Sequence, residues 1–252
     1  MIDFKDVTFI VPIRFDSEDR RNNFKTSMNF ILRNFNTNII VLDSDKESNE
    51  DFVKSVSEKI KYVFEKNGEK LFHRTRLLNE MTKMSETEII VNYDVDVIFP
   101  IEQYLEAKKL IESGGTMCFP YGGKFYDIPK KFFNLVNEDK LDEIPLNDCT
   151  LFNPGSVGGA FFFSKERYGS IGWENENFVS WGHEDWERIV RVQKMGYKME
   201  RTEGVLYHLT HSRTSNSSDK NPFYQFNGQE FQKVNSMSKE DLNKYIGTWG
   251  WI

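Results

Sequence analysis

Three short apolar, β-branched runs, each separated from the next by residues at helical spacing, constrain this chain more than any other feature. They are Val7-Thr-Phe-Ile-Val-Pro12, Asn38-Ile-Ile-Val-Leu-Asp43 and the Ile89-Ile90-Val91 start of the segment Glu88 to Pro100. Runs this short and apolar read as strands buried on both faces. Behind the N-cap candidates Asp16 and Ser17, Phe24, Met28, Ile31, Leu32 and Phe35 recur at helical spacing. Pro12 is expected to end the first strand. A charged helix over about 49–59, a strand Ile60–Phe64, a turn at Asn67-Gly68 and a helix from about His73 through Met81 lead to the third run. Strand–helix alternation requires crossover connections, which are right-handed, and hence a mostly parallel sheet. The predicted class is α/β: a Rossmann-like, mostly parallel mixed sheet flanked by helices, in a single domain over 1–252.

At the end of the third run polarity switches abruptly to Asn92-Tyr-Asp94-Val-Asp96, and Pro100 stops further pairing. Two carboxylates two residues apart on an extended chain point to one side and repel, so a cation or donor cluster is expected beside them. A hard divalent ion carrying a diphosphate would meet that need. In open α/β sheets the carboxyl ends of strands are also where ligands bind. Asp-x-Asp is nonetheless a cheap motif, with a second copy at Asp43-Ser44-Asp45, and alone it reads as a solvated strand end.

Composition narrows the class. At 38% hydrophobic and 29% charged the chain reads as soluble and globular, and a net charge of −6 without a basic run argues against a nucleic-acid partner. No apolar run approaches the roughly 20 residues of a transmembrane helix, and the N-terminus lacks a signal-peptide pattern. Two cysteines, Cys118 and Cys149, imply no disulfide framework and fit a reducing compartment. The expected location is cytoplasmic, with peripheral association at the inner membrane face open.

Past Pro100 the pattern gives an amphipathic helix over about 101–112, a strand Thr116–Phe119, and a Pro- and Gly-rich excursion over 120–155 with little periodicity. That excursion either shapes a pocket or is a plain surface loop. Val157–Phe163 reads as a strand with paired glycines, Gly158 and Gly159, that allow close approach of a backbone or ligand. A helix from Ser164 ends near Gly169. Residues 216–252 read as a tail with one short helix, opened by the capping box Ser238-Lys-Glu-Asp241, after which Trp249 and Trp251 dock on the body. Ser215 to Lys220 are polar and read as mobile.

Two further segments concentrate reactive side chains. In Phe178-Val-Ser-Trp181-Gly-His-Glu184-Asp185-Trp186-Glu187, acids in a first helical turn are ordinary complements of the helix dipole. The Trp-Gly hinge before them suits a loop closing over a substrate, and a carboxylate there could act as a general base. In Leu206-Tyr-His208-Leu-Thr-His211-Ser-Arg213, two of four histidines lie three apart. They can share one transition-metal ion only if the chain bends, and otherwise they are structural. The zinc-protease pattern is absent.

The order of features resembles the β1,4-galactosyltransferase family and its GT-A relatives, including the bacterial chondroitin-polymerase type, over roughly residues 7–215. It is carried by Pro12-x-Arg14, Leu71-Phe-His-Arg74 through Asn79, Asp94-Val-Asp96, Gly158-Gly159 with Ser164-Lys165, Trp181-Gly-x-Glu184-Asp185 and His208-x-x-His211-Ser-Arg213. The resemblance implies a GT-A fold with a nucleotide-binding half (1–100) and an acceptor and catalytic half (101–215). It also implies a UDP-sugar donor, Mn2+ (Mg2+ as the alternative), and inversion at the anomeric carbon. Asp96 and His211 would be metal ligands, with His208 where vertebrate members carry a methionine ligand. Arg14 and Arg74 would hold the nucleotide, Asp94 the ribose or sugar, Trp181 the diphosphate, with Pro12, Asp43 and Gly159 completing the donor contacts. Asp185 would be the base, with Glu184 and Trp186 beside it on the acceptor side. The acceptor would be a glycan or a lipid-linked saccharide.

The chain departs from the pattern at Asp16, where the family has a second arginine, and at Ser180 and His183, where vertebrate members carry glycines. Ser156 replaces a tyrosine that restricts the donor's 2-substituent, which leaves UDP-GalNAc and UDP-GlcNAc open beside UDP-galactose. The competing readings are a retaining GT-A enzyme of the polypeptide GalNAc-transferase type, an inactive nucleotide-sugar-binding module and a metal-dependent hydrolase.

Overall fold

The structure, a computed structural model, describes residues 1–69, 71–212 and 221–252. Ser215 to Lys220 and Arg213 lie outside the described residues.

Strand β1 (Ile2–Ile13) leads into α1 (Glu18–Asn34), β2 (Phe35–Asp45), α2 (Glu50–Val56), β3 (Lys61–Lys66), α3 (Arg74–Met84) and β4 (Ile89–Tyr93). A two-residue strand β5 (Val97–Ile98) and α4 (Ile101–Glu112) follow, then β6 (Met117–Phe119), β7 (Lys124–Ile128), α5 (Phe133–Asn137) and β8 (Thr150–Asn153). The chain continues through β9 (Ala160–Ser164), α6 (Lys165–Gly169), α7 (Glu184–Met195), β10 (Met199–Arg201) and β11 (Val205–Leu209), and ends with α8 (Tyr224–Ser236) and α9 (Lys239–Ile246).

The main sheet has seven strands in the order β10-β6-β9-β4-β1-β2-β3. Pairing is parallel throughout the N-terminal half, as the strand–helix alternation requires, whereas β9 runs antiparallel to both β4 and β6. Val7, Phe9, Ile10 and Val11 of β1 and every residue of β4 are buried, so these two strands form the floor of the core. Pro12 does not end β1: the register with β2 continues through Pro12 to Ile13. Beyond Ile10 the strand has no β4 neighbour, leaving an unpaired side on which a missing N–H breaks no ladder bond. Ser17 caps α1, its side chain accepting from the Arg20 N–H, and Phe35 falls in β2 rather than in the helix.

Two further expectations fail. The excursion over 120–155 is not irregular: β7 and β8 join β5 and β11 in a second, four-stranded sheet, ordered β5-β11-β7-β8. The residues after 220 are not a tail with one helix, because α8 packs along α7 before α9 begins. The capping box at Ser238 does open α9, with its hydroxyl accepting from the Asp241 N–H at 3.1 Å. Trp249 is buried against the Arg191 guanidinium, 5.3 Å from ring centroid to Cζ, and Trp251 donates its indole N–H to the Glu174 carbonyl.

Candidate active site

The acidic pair forms where β4 ends. Asp94 and Asp96 are not on one extended strand; the chain turns at Val95-Asp96 before β5 begins. Buried polar groups hold that turn from several sides. The Tyr93 hydroxyl donates across it to the Val97 carbonyl at 2.5 Å, and the Asp94 N–H donates to Gly159. From α1, Ser27 Oγ reaches the Val95 carbonyl at 2.7 Å and Asn23 Nδ2 the Leu209 carbonyl at 2.7 Å, while the Leu209 N–H donates to Asp96. Unpaired buried groups are costly, so these bonds pin the acidic turn and the end of β11 together.

The histidine pair resolves at that junction. His208 lies on β11 and His211 past its end, outside the regular strand that would have turned them to opposite faces. His211 Nε2 is 3.0 Å and His208 Nε2 3.8 Å from Asp96 Oδ2. One ligand atom from each of the three side chains lies within 4.8 Å of the others. Two imidazoles and a carboxylate suit a borderline divalent ion with further positions left for oxygen ligands. Burial pushes the Asp96 carboxyl up, but His208 and His211 outweigh it and hold the group below the ordinary range. Asp127 of β7 grips the other face of His208, with Oδ1 2.6 Å from Nδ1, and so selects the tautomer that points Nε2 at Asp96.

A cleft of about 290 Å3 opens in front of this cluster. Arg74 enters it from the first turn of α3, 2.7 Å from Asp94 Oδ1 and 3.2 Å from Asn92 Oδ1. Arg14 follows Pro12 into the cleft; its Nε donates to the Ser44 carbonyl at 2.7 Å and its guanidinium lies over Phe72. Arg20, on the first turn of α1, sits between Asp16 (3.0 Å) and Asp96 (3.7 Å).

The opposite wall is the loop before α7. Trp181 stacks on Tyr224 of α8 with ring centroids 5.9 Å apart, and its carbonyl accepts from Asn221. Ser180 (φ +62°) and His183 (φ +69°) occupy the left-handed region on either side of Gly182. These are the positions where the galactosyltransferase resemblance expects glycine, and the backbone here keeps the glycine-like shape at a conformational cost. The Gly182 N–H donates to the buried Glu184 carboxylate at 2.8 Å. Burial, with Asp185 adding to it, pushes Glu184 up to about 7. Asp185 lines the cleft, with Oδ1 held by Arg188 at 2.7 Å and Oδ2 facing Gly158. A Cβ at Gly158 would stand 3.0 Å from that oxygen, and one at Gly159 (φ +87°) would strike Leu206 and Val97. The two glycines therefore clear room for the carboxylate and the second sheet.

Of the residues singled out from sequence, the cleft gathers Asp94, Asp96, His208, His211, Arg14 and Arg74, together with Pro12, Gly159, Trp181 and Asp185. It does not gather Asp43, Glu184 or Trp186. Asp43 is fully buried and spends Oδ2 on the Asn49 N–H, the Asn49 amide and the Tyr62 hydroxyl. Glu184 is turned into its own loop, and Trp186 is half exposed on α7. Ser156 does not line the cleft. Sequence reasoning missed Arg20, Asp127, Glu174 and Arg188. The one readable hint lay in α1, where Asn23 and Ser27 interrupt its apolar face at a spacing of four.

Comparison with known proteins places the fold. Residues 142–214 match the family profile described as the N-terminal domain of galactosyltransferase. No curated protein matches the chain by sequence. Among solved structures, the catalytic domain of Drosophila beta1,4-galactosyltransferase 7 in complex with xylobiose superposes with a TM-score of 0.58 at 16% identity, covering 95% of this chain and 84% of that one. GalNAc-T7 with UDP, GalNAc and Mn2+ gives 0.60 at 11% identity, covering 95% of this chain and 50% of that one. The mannosyltransferase PcManGT from Pyrobaculum calidifontis, with GDP-Man and Mn2+, gives 0.54 at 17%, covering 83% of this chain and 58% of that one. The fold is that of the GT-A glycosyltransferases.

Proposed function

We propose that this chain, which carries a galactosyltransferase-type segment within a GT-A fold, is an inverting, metal-dependent glycosyltransferase. It would move galactose, GalNAc or GlcNAc from a UDP-sugar to a sugar hydroxyl of a glycan or lipid-linked saccharide. The observation that carries this reading is the placement of two kinds of group across one cleft: the Asp96, His208, His211 cluster on one wall and the Asp185 carboxylate on the other. Three structural relatives were solved with Mn2+ or with a sugar ligand, which supports manganese here, with Mg2+ as the alternative.

The donor set fits such an ion, which when bound would neutralise charge developing on the departing diphosphate. The rest falls to the chain's own side chains. Arg14 and Arg74 hold the nucleotide end, and Trp181 closes over the diphosphate. Asp94, paired with Arg74, orients the ribose or donor sugar. Asp185 Oδ2 takes the proton of the acceptor hydroxyl, which attacks the anomeric carbon from the face opposite UDP. Asp43, Glu184 and Trp186 then support the site from behind or at its rim rather than touching the reacting atoms.

Calorimetric titration of UDP with manganese, with EDTA, and with Asp96→Ala plus manganese tests the reading. Binding should require both the ion and Asp96; binding indifferent to both would remove its basis. Asp185→Asn should cut transfer to a small residual rate and leave UDP binding nearly intact, because a base acts only in the chemical step. The likeness to GalNAc-T7 in fold favours one second reading, a retaining transferase of the polypeptide GalNAc-transferase type. The anomeric configuration of the product, read by NMR, separates the two. A screen of UDP-galactose against its N-acetyl form decides the donor, and strict preference for galactose would count against a role for Ser156 in admitting the acetamido group.

A further inference from the structure

Arg188 is a fully buried arginine with three arms occupied, and the reading so far uses none of them. Its Nε and Nη2 grip Glu174 in a fork, at 2.9 and 2.7 Å, and its Cζ lies 4.3 Å from the centre of the Phe161 ring. Glu174 is itself anchored. Its carboxylate accepts from Tyr168, its N–H donates to Asn79 of α3, and its carbonyl accepts from the Asn79 amide and from Trp251. A buried ion pair made only for structure would be complete at that point. The third arm, Nη1, instead reaches the partly exposed Asp185 and holds Oδ1 at 2.7 Å.

The consequence is geometric. A carboxylate at the start of a helix can turn about its last torsion, and only some orientations aim a lone pair into the cleft. With Oδ1 fixed from behind and Oδ2 set in the gap left by Gly158, Asp185 has one orientation, and its free oxygen faces the cleft. We infer that Arg188, clamped by Glu174, is a positioning residue that orients Asp185 for proton abstraction. This inference rests on the transferase reading. It assigns the base an orienting partner built from β9 packing, α7 and the segment before it, with no contact to donor or acceptor.

The test combines Arg188→Lys with Asp185→Asn. Lysine keeps the charge but cannot hold Glu174 in a fork and reach Asp185 at once. Arg188→Lys should melt as a folded protein, bind UDP with manganese as the unsubstituted chain does, and keep its KM for UDP-galactose or UDP-GalNAc. Its kcat should fall about 100-fold, the scale of a misplaced reacting group. In the Asp185→Asn background the same substitution should lower the residual turnover no further. An equal loss in both backgrounds, or an unchanged kcat in the presence of Asp185, overturns the inference while leaving the transferase reading standing. Absence of UDP binding and turnover in the unsubstituted chain overturns both. If the lysine variant fails to fold, the double substitution Glu174→Gln with Arg188→Met strands no buried charge and makes the same comparison.

Discussion

Asp127→Asn isolates the outer support of the proposed metal site formed by Asp96, His208 and His211. Asp127 Oδ1 is 2.6 Å from His208 Nδ1, and the asparagine amide keeps the shape and an acceptor oxygen while removing the charge. Carboxylates behind metal-bound imidazoles fix the tautomer and raise ligand basicity, and losing one typically costs about 10- to 100-fold in metal affinity. The Asp127 side chain is 31% exposed, so solvent screens part of its field and the lower end applies. The expected loss is about 10-fold, or about 1.4 kcal/mol. Asp127→Ala also frees the ring to rotate and should cost more, approaching about 100-fold. Free Mn2+ measured by electron paramagnetic resonance during titration, with and without UDP, gives the constants directly. Both variants binding Mn2+ as the unsubstituted chain does, while His208→Ala abolishes binding, would refute the orienting role. Loss as complete as in Asp96→Ala would refute it from the other side, by making Asp127 a ligand.

Ser180→Gly should stabilise the protein. Ser180 is buried at φ +62° with a hydroxyl that has no partner among the described residues, and glycine removes both penalties at the cost of a freer unfolded chain, for a net gain of about 1 kcal/mol. Thermal unfolding checks it, and a lower melting temperature would mean the backbone there is unstrained. Glu184 gives a pH signature. Its carboxyl is pushed up to about 7 by burial and then by Asp185, above the ordinary 4.5, so the folded protein holds this proton more tightly than the unfolded chain. The stability so contributed is present below about pH 4.5 and is lost as pH rises through about 7. Glu184→Gln lacks that loss, so its melting temperature relative to the unsubstituted chain should climb across that window. A flat difference would show that Glu184 stays ionised.

What was legible in the sequence had local causes. Apolar β-branched runs fixed by burial on both faces announced β2 and β4, and the periodicity of Phe24, Met28 and Ile31 announced α1. The second sheet was not legible because β7 is only partly buried and its partners β8 and β11 lie far along the chain, so no period marks it. Helix α8 was missed for a related reason: its buried face is Asn227, Glu230 and Val234, and polar residues satisfied by tertiary hydrogen bonds leave no apolar stripe.

The sequence by itself determined the alternation that forces a largely parallel N-terminal half. It also determined the positions of Asp94, Asp96, Asp185, His208 and His211, because residue type and spacing are local properties of a chain. Only the tertiary structure decided which of these meet. It turned the chain at Val95 so that Asp96 faces the histidines, sealed Asp43 among donors of its own, and brought Asp127 to His208 across 81 positions and Glu174 to Arg188 across 14. Those contacts depend on strand register and on where each buried charge finds its nearest partner, and neither quantity is written in any single segment.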